Sequence, residues 1–282
     1  MHVSSVGCLH LQVYAFRGSN VLPKSSRHDM SAVVPICVYC TSAPGSTSDH
    51  VPPRSFFPKP RPNDLITVPA CLKCNQGAGK DEEYFLATLM FSEAGITETG
   101  KKLWNGRLRR MYEKNIGLRR KIVDSMRHRE FSTPAGIYLG RGMTVSYDPL
   151  RLERIAMKIV RGLYFHERSA PLDATVEVMC LFLREPKHFK AVEQHNHMLK
   201  PGSKQWDGAF QYRCGFVPGN PTGSMWLLWF WRTHIFWAIT SSAEIIASVT
   251  TGTANPLYSD GAGKQPSPVS ETLSMGKPAS PL

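Results

Sequence analysis

Three short stretches decide how this chain is read: CVYC (37–40), SDHVPP (48–53) and CLKCNQ (71–76). The first and last each contain a Cys-x-x-Cys pair, with 30 residues between Cys40 and Cys71. One such pair reads equally well as a redox motif. Two pairs, in a chain with no export signal to favour disulfides, have the spacing of a tetrahedral four-thiolate metal site. Soft thiolates and the absence of a d-electron geometric demand point to zinc. Four thiolates close the shell, so Zn2+ on Cys37, Cys40, Cys71 and Cys74 is expected to be structural and to supply no chemistry. It also accounts for how residues 35–80 could hold together, since they are proline-rich with little helical pattern.

Asp49 and His50 lie between the cysteine pairs, and Asn75 directly follows the last zinc cysteine. Zinc would bring these positions together. Asp49 and Asn75 are hard oxygen donors, which suit Mg2+ or Mn2+ better than zinc. His50, next to Asp49, would point to the other side of a strand, where a neutral imidazole can take a proton from water. One divalent cation on two protein ligands, with a general base beside it, makes a site for phosphodiester hydrolysis. Pro52 and Pro53 cannot donate to a ladder and mark where the strand ends.

In order, spacing and residue type together, CVYC…SDHVPPRSFFP…LITVPACLKCNQ resembles the HNH endonuclease family, specifically its zinc-bearing, endonuclease VII-like (His-Me finger) layout. The resemblance covers residues 36–85. It implies a ββα-metal fold, structural zinc on the four cysteines, His50 as general base, and Asp49 and Asn75 as ligands of the catalytic divalent metal. It also implies DNA as substrate. Two departures stand out. Many members carry an asparagine five residues before the third zinc cysteine, where this chain has Ile66, with Asn63 three residues earlier; and the loop RSFFPKPRPND lacks the Gly-Gly of many members. GAGK (77–80) lacks the flanking residues of a phosphate loop and reads as a turn. The letters HNH at 195–197 spell the family name by accident, and His195 and His197 are expected on a solvated helix.

The chain's 282 residues carry a formal net charge of +12, which favours a polyanionic partner. Residues 101–130 hold eleven Lys/Arg against three acids, and Leu103, Leu108, Met111, Ile116, Leu118, Ile122 and Met126 give them the pattern of a helix. Arg54, Lys73 and Lys80 flank the Asp-His motif as candidate phosphate contacts or plain surface charge. No run of about 18 apolar residues is present, so no membrane span is expected, and a cytoplasmic location follows from the missing signal peptide.

The expected fold class is α+β. Residues 1–29 read as a disordered arm or a start codon placed too early, and 30–95 as the zinc ββα-metal module, whose long helix begins near Asp81 and stops at Gly95. Residues 96–131 read as a basic helical region, 132–248 as a small α+β domain with mainly antiparallel strands, and 249–282 as a disordered tail. Within 132–248 the pattern predicts strands around 135–148, 174–185 and 209–219, helices around 150–168 and 186–200, and a hairpin of MWLLWFW with IFWAIT. Cys180 and Cys214 read as buried small hydrophobes, and Cys8 lies in the arm. Two competing functions stand beside the nuclease. One is a non-catalytic zinc module binding nucleic acid or protein, which has no need of Asp49, His50 and Asn75 together. The other is a ligand surface built on Trp226, Trp229, Trp231 and Trp237, for which core packing is the simpler account.

Overall fold

The computed structural model describes residues 34–93, 97–133, 135–184, 186–193, 195–242 and 271–274. The expectations for 1–29, for the stop at Gly95 and for most of 249–282 lie outside the described residues.

An antiparallel pair opens the fold. β1 (Thr47–Val51) runs beside β2 (Ile66–Ala70), with Asp49 opposite Val68 and His50 opposite Thr67. β1 ends where Pro52 and Pro53 begin, and a 3-10 turn (Arg54–Phe56) follows. The short α1 (Leu72–Gly77) starts directly after Cys71, completing a β-β-α unit. α2 (Gly79–Glu93) begins two residues before Asp81. Every residue from Tyr84 to Phe91 is buried, so this helix is enclosed on all sides, which suits its unbroken apolar run.

The basic region is three short helices joined by a π turn: α3 (Glu98–Leu103), residues Trp104–Leu108, α4 (Arg109–Lys114) and α5 (Ile116–Asp124). Leu103, Leu108, Met111, Leu118 and Ile122 are buried as their spacing predicts, whereas Ile116 is exposed. The helical pattern stops at Asp124. β3 (Met126–Ser132) replaces its last turns, because those residues pair antiparallel with β4 (Tyr138–Tyr147) and tertiary pairing overrides local preference.

α6 (Pro149–Arg168) has Asp148 as its N-cap, accepting from the Arg151 N–H, and Pro149 in its first turn. Its Leu152, Ile155, Ala156, Ile159, Val160 and Leu163 are buried. The helix packs on β5 (Val176–Leu183) and also on β1, β2 and α2. α7 (Pro186–Glu193) and a 3-10 turn at Asn196–Met198, in place of a continued helix at His195 and His197, lead into β6 (Lys200–Pro201). β7 (Phe210–Phe216), β8 (Ser224–Phe230) and β9 (His234–Ser242) complete a five-stranded antiparallel sheet of order β5-β9-β8-β7-β6, with β8 and β9 as the expected hairpin. β10 (Glu271–Ser274) corrects the disordered-tail expectation for those four residues: they pair with β4, whose edge offers unpaired backbone groups.

One buried core runs from Val38 in the cysteine region through α2, α5 and α6 to Ala238 in β9. The segments expected as modules at 30–95, 96–131 and 132–248 all contribute to it, and the described residues cluster as one unit. Phe56, just after β1, and Phe85 on α2 stack at 5.1 Å, and both contact Phe230 and Trp231 of the large sheet. Trp226, Trp231 and Trp237 are buried, so the core account of the tryptophans holds for these three. Cys180 and Cys214 are buried as expected.

Candidate functional site

The four predicted zinc cysteines come together. Their sulfurs all lie within 4.8 Å of one another, with Cys40 Sγ and Cys71 Sγ 4.0 Å apart. A tetrahedral shell with Zn–S of about 2.3 Å has sulfur edges of roughly 3.8 Å, so the cluster fits zinc with little adjustment. Local backbone makes the fit. The Cys37 carbonyl accepts from the Thr41 N–H at 2.9 Å and the Cys37 N–H donates to the Ala43 carbonyl at 2.8 Å, curling 37–43 into a tight turn. Val38 N–H donates to Pro69 of β2, which ties that turn to the strand leading to Cys71. Gly45 is required where the segment passes under β2: a Cβ there would lie 2.7 Å from Pro69 Cβ and 2.9 Å from the Pro35 carbonyl oxygen. Ser42 hydrogen bonding lowers the Cys40 thiol to about 6. Burial and the adjacent Cys71 raise Cys74. A bound cation favours the thiolate at all four.

Asp49 is buried on β1 and its carboxylate is fully engaged. Oδ1 accepts from the His50 N–H at 2.9 Å, and Oδ2 accepts from the Tyr39 hydroxyl at 2.9 Å. Oδ2 also meets Lys158 Nζ of α6 at 2.8 Å, and the same ammonium lies 2.9 Å from Glu82 Oε1 on α2. Burial lowers the affinity of Lys158 for its proton, but the two carboxylates outweigh it and the net direction is up. Asn75, on α1, donates its amide nitrogen to Thr47 Oγ1 at 3.0 Å and more weakly to the Ser48 carbonyl, which leaves its oxygen as the atom it can offer a cation. The donors here are carboxylate and amide oxygens, and a cation, the Lys158 ammonium, already sits among the carboxylates. Oxygen donors of this type suit a hard divalent ion, but the ammonium already occupies the Asp49 carboxylate.

Asp49 and His50 open into one cleft of about 490 Å³, which Arg54, Lys80, Glu82 and Arg107 also line. Asn75 and Lys73 are not among its lining residues; from α1, Asn75 bonds to Thr47 and Ser48 of β1 instead. His50 is partly exposed. Burial and the nearby Arg54 and Arg61 guanidiniums hold it below its ordinary 6.5 against the upward pull of Asp49, so it is neutral at pH 7. Arg107 also lines a neighbouring groove of about 830 Å³ with Lys59, Arg61, Lys101, Lys102 and Arg110. Burial, then Arg54 and Arg107, press the Arg61 guanidinium downward, the mark of like charges held close. Arg107 Nε is buried with no hydrogen-bond partner among the described residues.

The loop from 57 to 65, which has no Gly-Gly, is anchored from elsewhere. Asp64 accepts from Trp206 Nε1 at 3.1 Å and pairs with Lys204 at 2.9 Å. The Phe56 carbonyl accepts from Trp231 Nε1 at 3.1 Å. Ile66, in the asparagine's place, is a buried residue of β2 opposite Val51.

Sequence reasoning missed Tyr39, Glu82, Arg107 and Lys158. Glu82 was legible only as a first-turn acid complementing the helix dipole. Arg151, Arg154 and Lys158 recur on one face of α6, and all three pair with acids at or beside the start of α2: Asp81 with both arginines, Glu82 with the lysine. That face was visible as a cationic stripe, but its partners were not. No family model, curated protein or solved structure matches this chain.

Proposed function

We propose that this chain is a metal-dependent nuclease of the HNH type that hydrolyses phosphodiester bonds in DNA. The main support is the placement of Asp49 and His50, adjacent on β1, in a cleft beside Arg54, Arg61 and Arg107. Arg54 and Arg107 both press on Arg61, and among the described residues Arg107 is offset only by Glu83 at 3.8 Å, so an added anion is favoured beside them. A phosphate seated between Arg54 and Arg107 faces the neutral imidazole of His50, which takes the proton of an attacking water. Asp49 fixes the His50 backbone by accepting its N–H. Asp49 and Asn75 would hold a Mg2+ or Mn2+ ion, which would supply positive charge to the phosphate and leaving oxygens. The adjoining basic groove, entered past Arg107, would hold the phosphate backbone, a sequence-insensitive contact that weakens with salt.

Plasmid nicking by the zinc-loaded protein at low salt, with and without Mg2+ or Mn2+, tests this reading. We expect metal-dependent cleavage that falls by about 100-fold or more in His50→Ala, with zinc content unchanged. The non-catalytic reading, a zinc module that binds nucleic acid without cutting it, has one observation in its favour: Lys158 already neutralises Asp49. It prevails if zinc and DNA are both retained and neither protein cuts any DNA form.

A further inference from the structure

The carboxylates beside His50 have a resident cation. Lys158 Nζ bridges Asp49 Oδ2 at 2.8 Å and Glu82 Oε1 at 2.9 Å, and its side chain is only 13 % exposed. Both acids line the cleft, whereas the lysine reaches them from α6. The backbone is shaped for this contact. Gly162 lies one helical turn beyond Lys158, and Val51 lies two residues beyond Asp49. A Cβ on Gly162 would stand 2.5 Å from Val51 Cγ2, so the glycine lets α6 lie directly on β1. Four helical residues advance about 6 Å and two strand residues about 6.6 Å, which puts the glycine contact and the lysine contact in register. Tyr39 completes the enclosure, with its ring 5.2 Å from the ammonium and its hydroxyl on the same Asp49 oxygen.

We propose that Lys158 is a built-in counter-ion of the Asp49–Glu82 pair, that a divalent cation must displace it to bind, and that Glu82 is then a third ligand to that cation. The inference rests on the reading of Asp49 as a metal ligand. Without a divalent ion, the ammonium offsets the repulsion between buried Asp49 and half-buried Glu82 and holds Asp49 in place. It cannot itself coordinate, and its flexible stem lets it withdraw when a harder cation arrives. Lys158 is therefore a positioning residue, and its charge sets the metal affinity.

The test is Mn2+ binding to the full-length, zinc-loaded protein, read from loss of the free-Mn2+ electron paramagnetic resonance signal. Lys158→Met and Lys158→Gln are expected to bind Mn2+ roughly tenfold more tightly than the wild type, because the competing positive charge is gone. Lys158→Arg keeps the charge and is expected to stay near wild-type affinity. Glu82→Gln in the Lys158→Met background is expected to lose the gain. Lys158→Gln retains a hydrogen-bond donor and carries the test should the methionine variant fail to fold. Equal or weaker binding in the uncharged variants, while Asp49→Asn still abolishes binding, overturns the counter-ion role alone. If Asp49→Asn leaves Mn2+ binding intact, the metal is not at Asp49 and the nuclease reading falls with it.

Discussion

The two-stranded sheet that carries Asp49 and His50 and the five-stranded sheet share one core, but differ in what else holds them. β1 and β2 have five residues each and α1 has six, too little for a hairpin and a short helix to be stable on their own. Val51, Ile66 and Val68 bury into the common core, and the rest of their order comes from four converging thiols, from Gly162 against Val51, and from a loop anchored to distant residues. The five-stranded sheet instead buries Phe210, Tyr212, Trp226, Phe230, Trp231 and Phe236 against α2 and α6, and apolar burial suffices there. The difference teaches where precision is placed. The polar site rests on contacts that define positions, and the sheet supplies the mass that those contacts brace against.

Zinc removal should break the comparison most strongly. Structural zinc contributes on the order of 10 kcal/mol of apparent binding free energy in small zinc modules. Chelation, or Cys71→Ser, is therefore expected to abolish hydrogen-exchange protection in β1 and β2 while the near-ultraviolet signal of the buried tryptophans largely persists. Simultaneous loss of both signals would mean that the two sheets are one cooperative unit.

Trp231→Ala strikes the seam from the other side. It empties a fully buried site and leaves the Phe56 carbonyl without its indole donor. About 3–5 kcal/mol of stability should be lost in denaturant titration, with zinc still bound.

His234 sharpens the account of the large sheet through pH. It is buried, its Nε2–H donates to the Leu89 carbonyl at 3.0 Å, and burial pushes it down to about 4 from 6.5. A depressed histidine stays neutral in the folded protein while the unfolded chain takes up a proton below 6.5. Stability is therefore full above pH 6.5 and declines as pH falls toward 4, by at most about 3 kcal/mol from this group. His234→Gln should flatten that part of the stability–pH curve, as measured by urea titration at pH 7, 5.5 and 4.5.

Gly162→Ala is expected to have the smallest effect, about 1–3 kcal/mol. Its added Cβ meets a buried, β-branched Val51 that has little freedom to yield. Because the clash falls on the α6–β1 contact, faster hydrogen exchange should appear in β1 before it appears in β8 or β9.

Much of this molecule could be read along the chain because the relevant physics is local. Cys-x-x-Cys spacing, the adjacency of Asp49 and His50, the three-and-four spacing of α6, and the aromatic-rich apolar runs of β8 and β9 each depend on residues a few positions apart. Where a local pattern misled, pairing overruled it. Met126 ends the helical stripe and residues up to 131 are expected to be helical, but 126–132 become β3 because β4 lies alongside, and 271–274 gain order from the other edge of β4.

Only the tertiary structure decided what surrounds the Asp-His pair. Lys158 is 109 positions from Asp49, Trp206 is 142 from Asp64, and Trp231 is 175 from Phe56. A lysine on a helix face looks the same in sequence whether it meets solvent or a pair of carboxylates. An ion pair depends on distance in space, and that distance exists only once α6 has packed on β1. The residue types of the site were thus set by the sequence alone, and its electrostatics by the packing.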